Sequence, residues 1–197
     1  MPPYHPPGLP WYEPCDGSCF FISEYAEPDG STKNSYIEFY NGCGREINAA
    51  DYSILICHRA CYGAALNPST NIPNLALEVH LYGDGSYLGI GPGQTFTVVY
   101  CIMPASNLCA DYGLLQRGSA YYSDLGNGDD YIAMYHRPTL RVVDSVGALQ
   151  FDTLPAPGWD VAGVTEATKD SRIQRKSMVS GGNCGDWNLS AGTNPGD

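Results

Sequence analysis

Eight cysteines, at positions 15, 19, 43, 57, 61, 101, 109 and 184, constrain this chain more than any other feature. The number is even, and no CxxC is matched by a second CxxC. A structural zinc site wants paired short spacings with Cys or His partners. Here the short spacings leave three, three and seven residues between cysteines, and only four histidines are scattered along the chain. Disulfides between Cys15, Cys19, Cys43, Cys57, Cys61, Cys101, Cys109 and Cys184 are the better reading. They place the protein in an oxidising, extracellular or cell-surface setting. Cys57 with Cys61, and Cys101 with Cys109, are near enough in sequence to form local bridges; spacing leaves the rest of the pairing open.

The cysteines sit among turn formers. With 23 Gly, 15 Pro and 15 Tyr in 197 residues, the composition suits short strands and many turns. Strands are predicted over residues 20–25, 36–40, 52–57, 76–82, 95–102, 131–135 and 140–146, with a further short one over 173–176. These runs are rich in β-branched and aromatic residues and bounded by Gly, Asn, Asp and Pro. Asp84-Gly85 signals a hairpin, and the glycines from Gly91 to Gly93 a turn entering the strand at Thr95. The one helical candidate covers residues 107–116. Seven to nine strands without a helical period predict an all-β, immunoglobulin-like β-sandwich. Residues 1–18 read as a proline-rich arm or linker, and residues 19–197 as one domain with no internal repeat.

Residues 1–14 contain six prolines and no apolar core segment, so they do not form a signal peptide. This suggests that a leader was removed or that the sequence comes from a longer precursor. The expected arm is extended and polyproline-like, able to lie on a neighbouring subunit or domain. No run approaches membrane-spanning length. The net charge of −11 repels phosphate backbones and argues against nucleic-acid binding. Protein partners remain, through self-association or neighbouring domains of a longer chain.

Glu24 and Glu38 stand in the middle of apolar runs. Strict alternation puts Phe21, Ser23 and Tyr25 on one face, and Phe20, Ile22 and Glu24 on the other. Tyr36, Glu38 and Tyr40 share a face of the next strand. Two neighbouring strands can bring both carboxylates to one side, the arrangement acid–base catalysis uses when it lies in a cleft. The sequence supplies no cleft, and carboxylates in such strands more often accept hydrogen bonds or pair with Arg, for which Arg141 and Arg175 are available. The sequence contains no G-x-S-x-G elbow, phosphate loop or dinucleotide fingerprint. The expectation is a non-catalytic module.

Several stretches then occur in a telling order: FISEY (21–25), YIEFYN (36–41), INAADYSI (47–54), GPGQTFTVVYCI, GNGDDYIAMY, RVVDSVG, and RIQRKSMVSGGNCGDWNLSAGTNPGD. Together they resemble the lamin tail domain family. In that family an Asn-Gly-Asp-Asp turn leads into an apolar strand, the next strand carries Val-Asp-x-x-Gly, and a "tLvRk" strand precedes a Trp. The resemblance runs from Phe20 to Asp197. It implies an immunoglobulin-like sandwich of the secreted branch, where such domains are appended to nucleases, phosphatases and cell-surface proteins. It implies scaffold roles for the motif residues and carries over no catalytic ones. The cysteines, the Tyr-rich strands and the arm depart from the family pattern.

The remaining candidates are binding features. Asp124, Asn127, Asp129 and Asp130 gather hard oxygens on a glycine-bearing turn, so Ca²⁺ is the one cofactor admitted, although the spacing is not that of an EF-hand. The ordinary reading is an Asx-stabilised turn. His5, His58, His80 and His136 lack metal-ligand spacing. Asn188-Leu189-Ser190 is a glycosylation sequon. Tyr112, Tyr121, Tyr122 and Tyr135 would make a contact surface if exposed. The expected function is a structural or interaction module of a surface filament or matrix. Two other classes are a substrate-positioning domain of a secreted nuclease or phosphatase, and a Ca²⁺-dependent adhesion or glycan-binding module.

Overall fold

A computed structural model describes residue 15 and residues 18–27, 35–81, 88–99 and 128–192. The predicted helix over residues 107–116 and the turn at Asp84-Gly85 lie outside the described residues.

Among the described residues the chain is built of β-strands and short 3-10 turns, with no α-helix. The strands are β1 (Phe20–Ala26), β2 (Tyr36–Asn41), β3 (Ile47–Asn48), β4 (Tyr52–Cys57), β5 (Leu77–His80), β6 (Gly89–Ile90), β7 (Thr95–Val99), β8 (Tyr131–His136), β9 (Arg141–Val146) and β10 (Arg172–Gln174). They form two four-stranded antiparallel sheets, ordered β10-β1-β2-β7 and β5-β4-β8-β9, and a two-residue ladder of β3 with β6. The predicted strands recur with small changes at their ends, except that residues 82 and 100–102 lie outside the described residues. The strands β3 and β6, each two residues long, are too short for a periodic signal.

The two large sheets share one core in a sandwich-like arrangement. Phe20, Ile22, Ile37 and Phe39 from the first sheet meet Ile54, Ile56, Ile132, Met134 and Val143 from the second. The Phe20 ring sits edge-on to that of Tyr52, with centroids 4.9 Å apart. β4, reading YSILIC, is buried along its whole length. Its continuous apolar run follows from cover on both faces. The loop that follows β4 is tied to the same sheet, where the Tyr135 hydroxyl of β8 donates to the Thr70 carbonyl at 2.8 Å.

Two bulges break the alternation that simple strand counting assumes. On β1, Ile22 pairs with Phe39 and Glu24 with Glu38, leaving Ser23 as an extra residue. A bulge of this kind turns the side chains that follow to the opposite face. Tyr25 therefore joins the shared core, whereas Phe21 does not. This corrects the expectation that Glu24 shares a face with Phe20 and Ile22. The second bulge leaves Val143 as the extra residue of β9, opposite Met134 and Tyr135 of β8.

Candidate functional site

The Ser23 bulge decides the chemistry of the glutamate pair. Glu24 and Glu38 lie directly opposite each other in register, on the face that also carries Tyr36. Their oxygens face neighbouring framework groups. Tyr36 donates its hydroxyl to Glu24 Oε1, and Arg172 Nε lies 3.3 Å from the same oxygen. Ser23 Oγ donates to Glu38 Oε1 at 2.7 Å. Burial, reinforced by the Glu24 bond, pushes the Tyr36 phenol up to about 12. The partner of Glu24 is thus Arg172 of β10, and neither Arg141 nor Arg175 fills that role.

Arg175 serves a different carboxylate, which the sequence did not single out. Asp144 on β9 is fully buried. Its Oδ1 accepts from Arg175 Nη2 at 2.5 Å and from the Asn183 amide at 2.9 Å. Its Oδ2 accepts from the Ile22 amide at 2.8 Å. Burial pushes its pKa up, and the Arg175 charge and backbone N–H groups oppose that shift. One side chain thereby joins β1, β9, the segment after β10 and residues 182–184. Gly182 permits the approach: a Cβ there would stand 2.3 Å from the Val143 carbonyl oxygen. The Phe21 ring completes this corner, with the Arg175 guanidinium carbon 5.8 Å from its centroid.

The corner before β8 contains two of the four residues proposed for Ca²⁺. Asp124 and Asn127 lie outside the described residues. Asp130 Oδ1 accepts from the Arg59 amide at 2.8 Å, and Oδ2 lies 3.0 Å from His58 Nδ1. Asp130 therefore holds the 3-10 turn His58–Cys61, whose Arg59, Ala60 and Cys61 all have left-handed φ. Asp129 is also buried, and its Oδ1 has no hydrogen-bond partner. Burial, and then the neighbouring Asp130 charge, push its pKa up to about 6. The backbone here is held tightly: Trp159 Nε1 donates to the Asp130 carbonyl at 2.9 Å, and Thr168 Oγ1 to that of Gly128 at 2.7 Å. Among the described residues, no three His, Cys, Asp or Glu side chains are grouped to hold a metal ion.

Six of the eight cysteines lie within the described residues, and all six are paired. Cys15–Cys184 closes 169 residues, Cys19–Cys43 closes 24, and Cys57–Cys61 closes four. Their Cα separations of 5.9, 5.0 and 4.8 Å are ordinary for disulfides. Such bridges fit an oxidising compartment. Cys101 and Cys109 lie outside the described residues. Asn188 is exposed on the 3-10 turn Trp187–Leu189, and its side-chain amide donates to Asp186 Oδ1 at 3.2 Å. His80 Nε2 lies 3.6 Å from Glu78 Oε1, and His136 Nδ1 lies 2.8 Å from Thr139 Oγ1. His5, Tyr112, Tyr121 and Tyr122 fall outside the described residues. Tyr135 is buried, so it is not part of a contact surface. Among the described residues, no helix is long and apolar enough to cross a membrane.

A groove of about 340 Å³ lies beside the longest bridge, lined by Cys15, Asn71, Leu140, Arg141, Val142 and Cys184. No sequence signal marks it, because its walls come from four distant parts of the chain.

Fold and sites together define a disulfide-stapled, all-β protein in which most buried charges are tied to the framework. Comparison with protein-family models, curated proteins and solved structures finds no match for this chain.

Proposed function

We propose that this chain is a non-catalytic extracellular module with an immunoglobulin-like sandwich of lamin-tail type, and that it self-associates as a subunit of a surface filament or matrix. The observation that carries this reading is the fate of Glu24 and Glu38. Both are bonded to framework side chains on a sheet face. Three disulfides support a secreted setting. The order of the motifs along the chain supports the lamin-tail reading. The test is sedimentation velocity of native, non-reduced protein over a dilution series. Mass that rises with concentration is expected; a monomer throughout rejects self-association.

A Ca²⁺-dependent adhesion module is a second reading, favoured by one observation. The partnerless Asp129 Oδ1 stands two residues after Asn127 and five after Asp124. Titration calorimetry with Ca²⁺, and melting with and without EDTA, test it. Heat on titration and a lower melting point in EDTA are expected, and the absence of both removes the reading.

A further inference from the structure

We infer that the groove between the Cys15–Cys184 bridge and the start of β9 receives the proline-rich segment 1–14 of a second copy of this chain. This rests on the self-association proposed above and names the site where it occurs. Three observations point to the groove as a place of contact.

The first is its shape. It is an open groove of about 340 Å³, accessible from solvent. The second is its backbone. Asn71, Leu140 and Cys184, half of the lining, have left-handed φ values of 57, 55 and 54°. Leu140 is also 44 % exposed. A leucine is disfavoured in that backbone region, and here it does not join the core. Glycine would suit the turn better, so the fold alone gives no reason for leucine. An apolar partner supplies one. The third is charge. Arg141 is exposed and has no ion-pair partner among the described residues.

Segment 1–14 has the matching chemistry. It carries Leu9, Trp11 and Tyr12, and Glu13 is its only acidic or basic residue apart from His5. The rings fit against Leu140 and Val142, and Glu13 against Arg141. Proline-rich segments enter apolar grooves with little ordering entropy to lose. The body of the chain is strongly acidic, with a net charge of −11 overall, so direct contact between bodies is opposed by repulsion. Contact through a segment holding one acid keeps the bodies apart.

The sequence around Cys15 favours a neighbour over the chain's own groove. Pro14 fixes its own φ and biases Glu13 to an extended conformation. An extended segment before Cys15 would advance about 3.1 Å per residue, which directs it outward from its own chain rather than back on itself. A segment from one copy in the groove of the next is a head-to-tail contact, which builds open chains.

Sedimentation velocity of the full chain across a dilution series tests this. W11A and R141E are each expected to raise the dissociation constant by about tenfold or more, with melting temperatures unchanged. L140N, at an exposed position, should do the same. Mixing E13R with R141E should restore association, because the reversed charge in the segment of one variant meets the reversed charge in the groove of the other only between copies. If W11A and R141E associate like the wild type, the groove is wrong while self-association stands. If the single variants fail and the mixture does not recover, docking between copies is overturned. A wild type that stays monomeric at every concentration removes both proposals.

Discussion

Asp144 and Asp129 are both buried carboxylates flanking β8, and their surroundings are opposite. Asp144 is saturated: an arginine and backbone amides from β1 and residue 183 all point at it. Asp129 has a second carboxylate as its neighbour in sequence and leaves one oxygen without a partner. The first arrangement turns a costly buried charge into a junction between segments far apart in sequence. The second leaves a cost unmet, and that cost depends on pH. Burial alone therefore says little about what a carboxylate does; the count of donors around it decides.

The sharpest way to break the comparison is at Asp144. D144N keeps the size but removes the charge, leaving Arg175, largely buried, without its counter-ion. A loss of about 3–5 kcal/mol is expected by urea denaturation. A loss under about 1 kcal/mol would mean that Asp144 is not the junction. G182A attacks the same junction from outside. Its new Cβ would stand 2.3 Å from the Val143 carbonyl oxygen and 2.6 Å from Asp144 Cβ. Moving residue 182 drags the Asn183 amide off the carboxylate, so a loss of about 1–3 kcal/mol is expected.

At Asp129 the expected effect of an Asn substitution reverses. Its folded pKa is raised from 3.8 to about 6, so the folded state holds this proton more tightly than the unfolded chain does. The contribution to stability is complete below the unfolded value and is lost as pH rises through about 6. The wild-type urea midpoint should therefore carry a component that falls between about pH 4 and pH 7. D129N should remove that component and stabilise the protein at pH 7. Equal pH profiles for the two proteins would refute the account.

Much of the fold was legible because it rests on local patterns. The runs at 52–57 and 131–135 read as strands and are strands, which the structure shows to be buried. Cys57 and Cys61, close in sequence, do bond to each other. What escaped depends on pairings over long separations. Nothing near Asp144 in sequence names Arg175, 31 residues on, or Ile22, 122 residues back. Cys15 and Cys184 meet across 169 residues. The Ser23 bulge escaped for another reason. A single unpaired residue leaves composition and apolar content unchanged, yet it exchanges the faces of all residues after it. For that reason the glutamate pair was legible as a pair, while its face and its partners were not.

The smallest expected effect falls on that pair. Glu24 differs from both aspartates in its partners, a tyrosine hydroxyl and an arginine that is itself mostly exposed. A half-solvated pair of this kind contributes little, because water competes for the arginine. E24Q retains an acceptor for the Tyr36 hydroxyl and should cost about 1 kcal/mol or less. Its clearer mark is on Tyr36. Part of the upward shift of that phenol to about 12 comes from the hydrogen bond to Glu24 and from its charge. Removing the charge should lower the Tyr36 titration midpoint toward the ordinary value, as read by NMR of ring-labelled tyrosine. The residual shift due to burial should stay. If E24Q instead unfolds β1 from β2, Glu24 belongs with Asp144 as a framework junction, and the distinction drawn from donor counts fails.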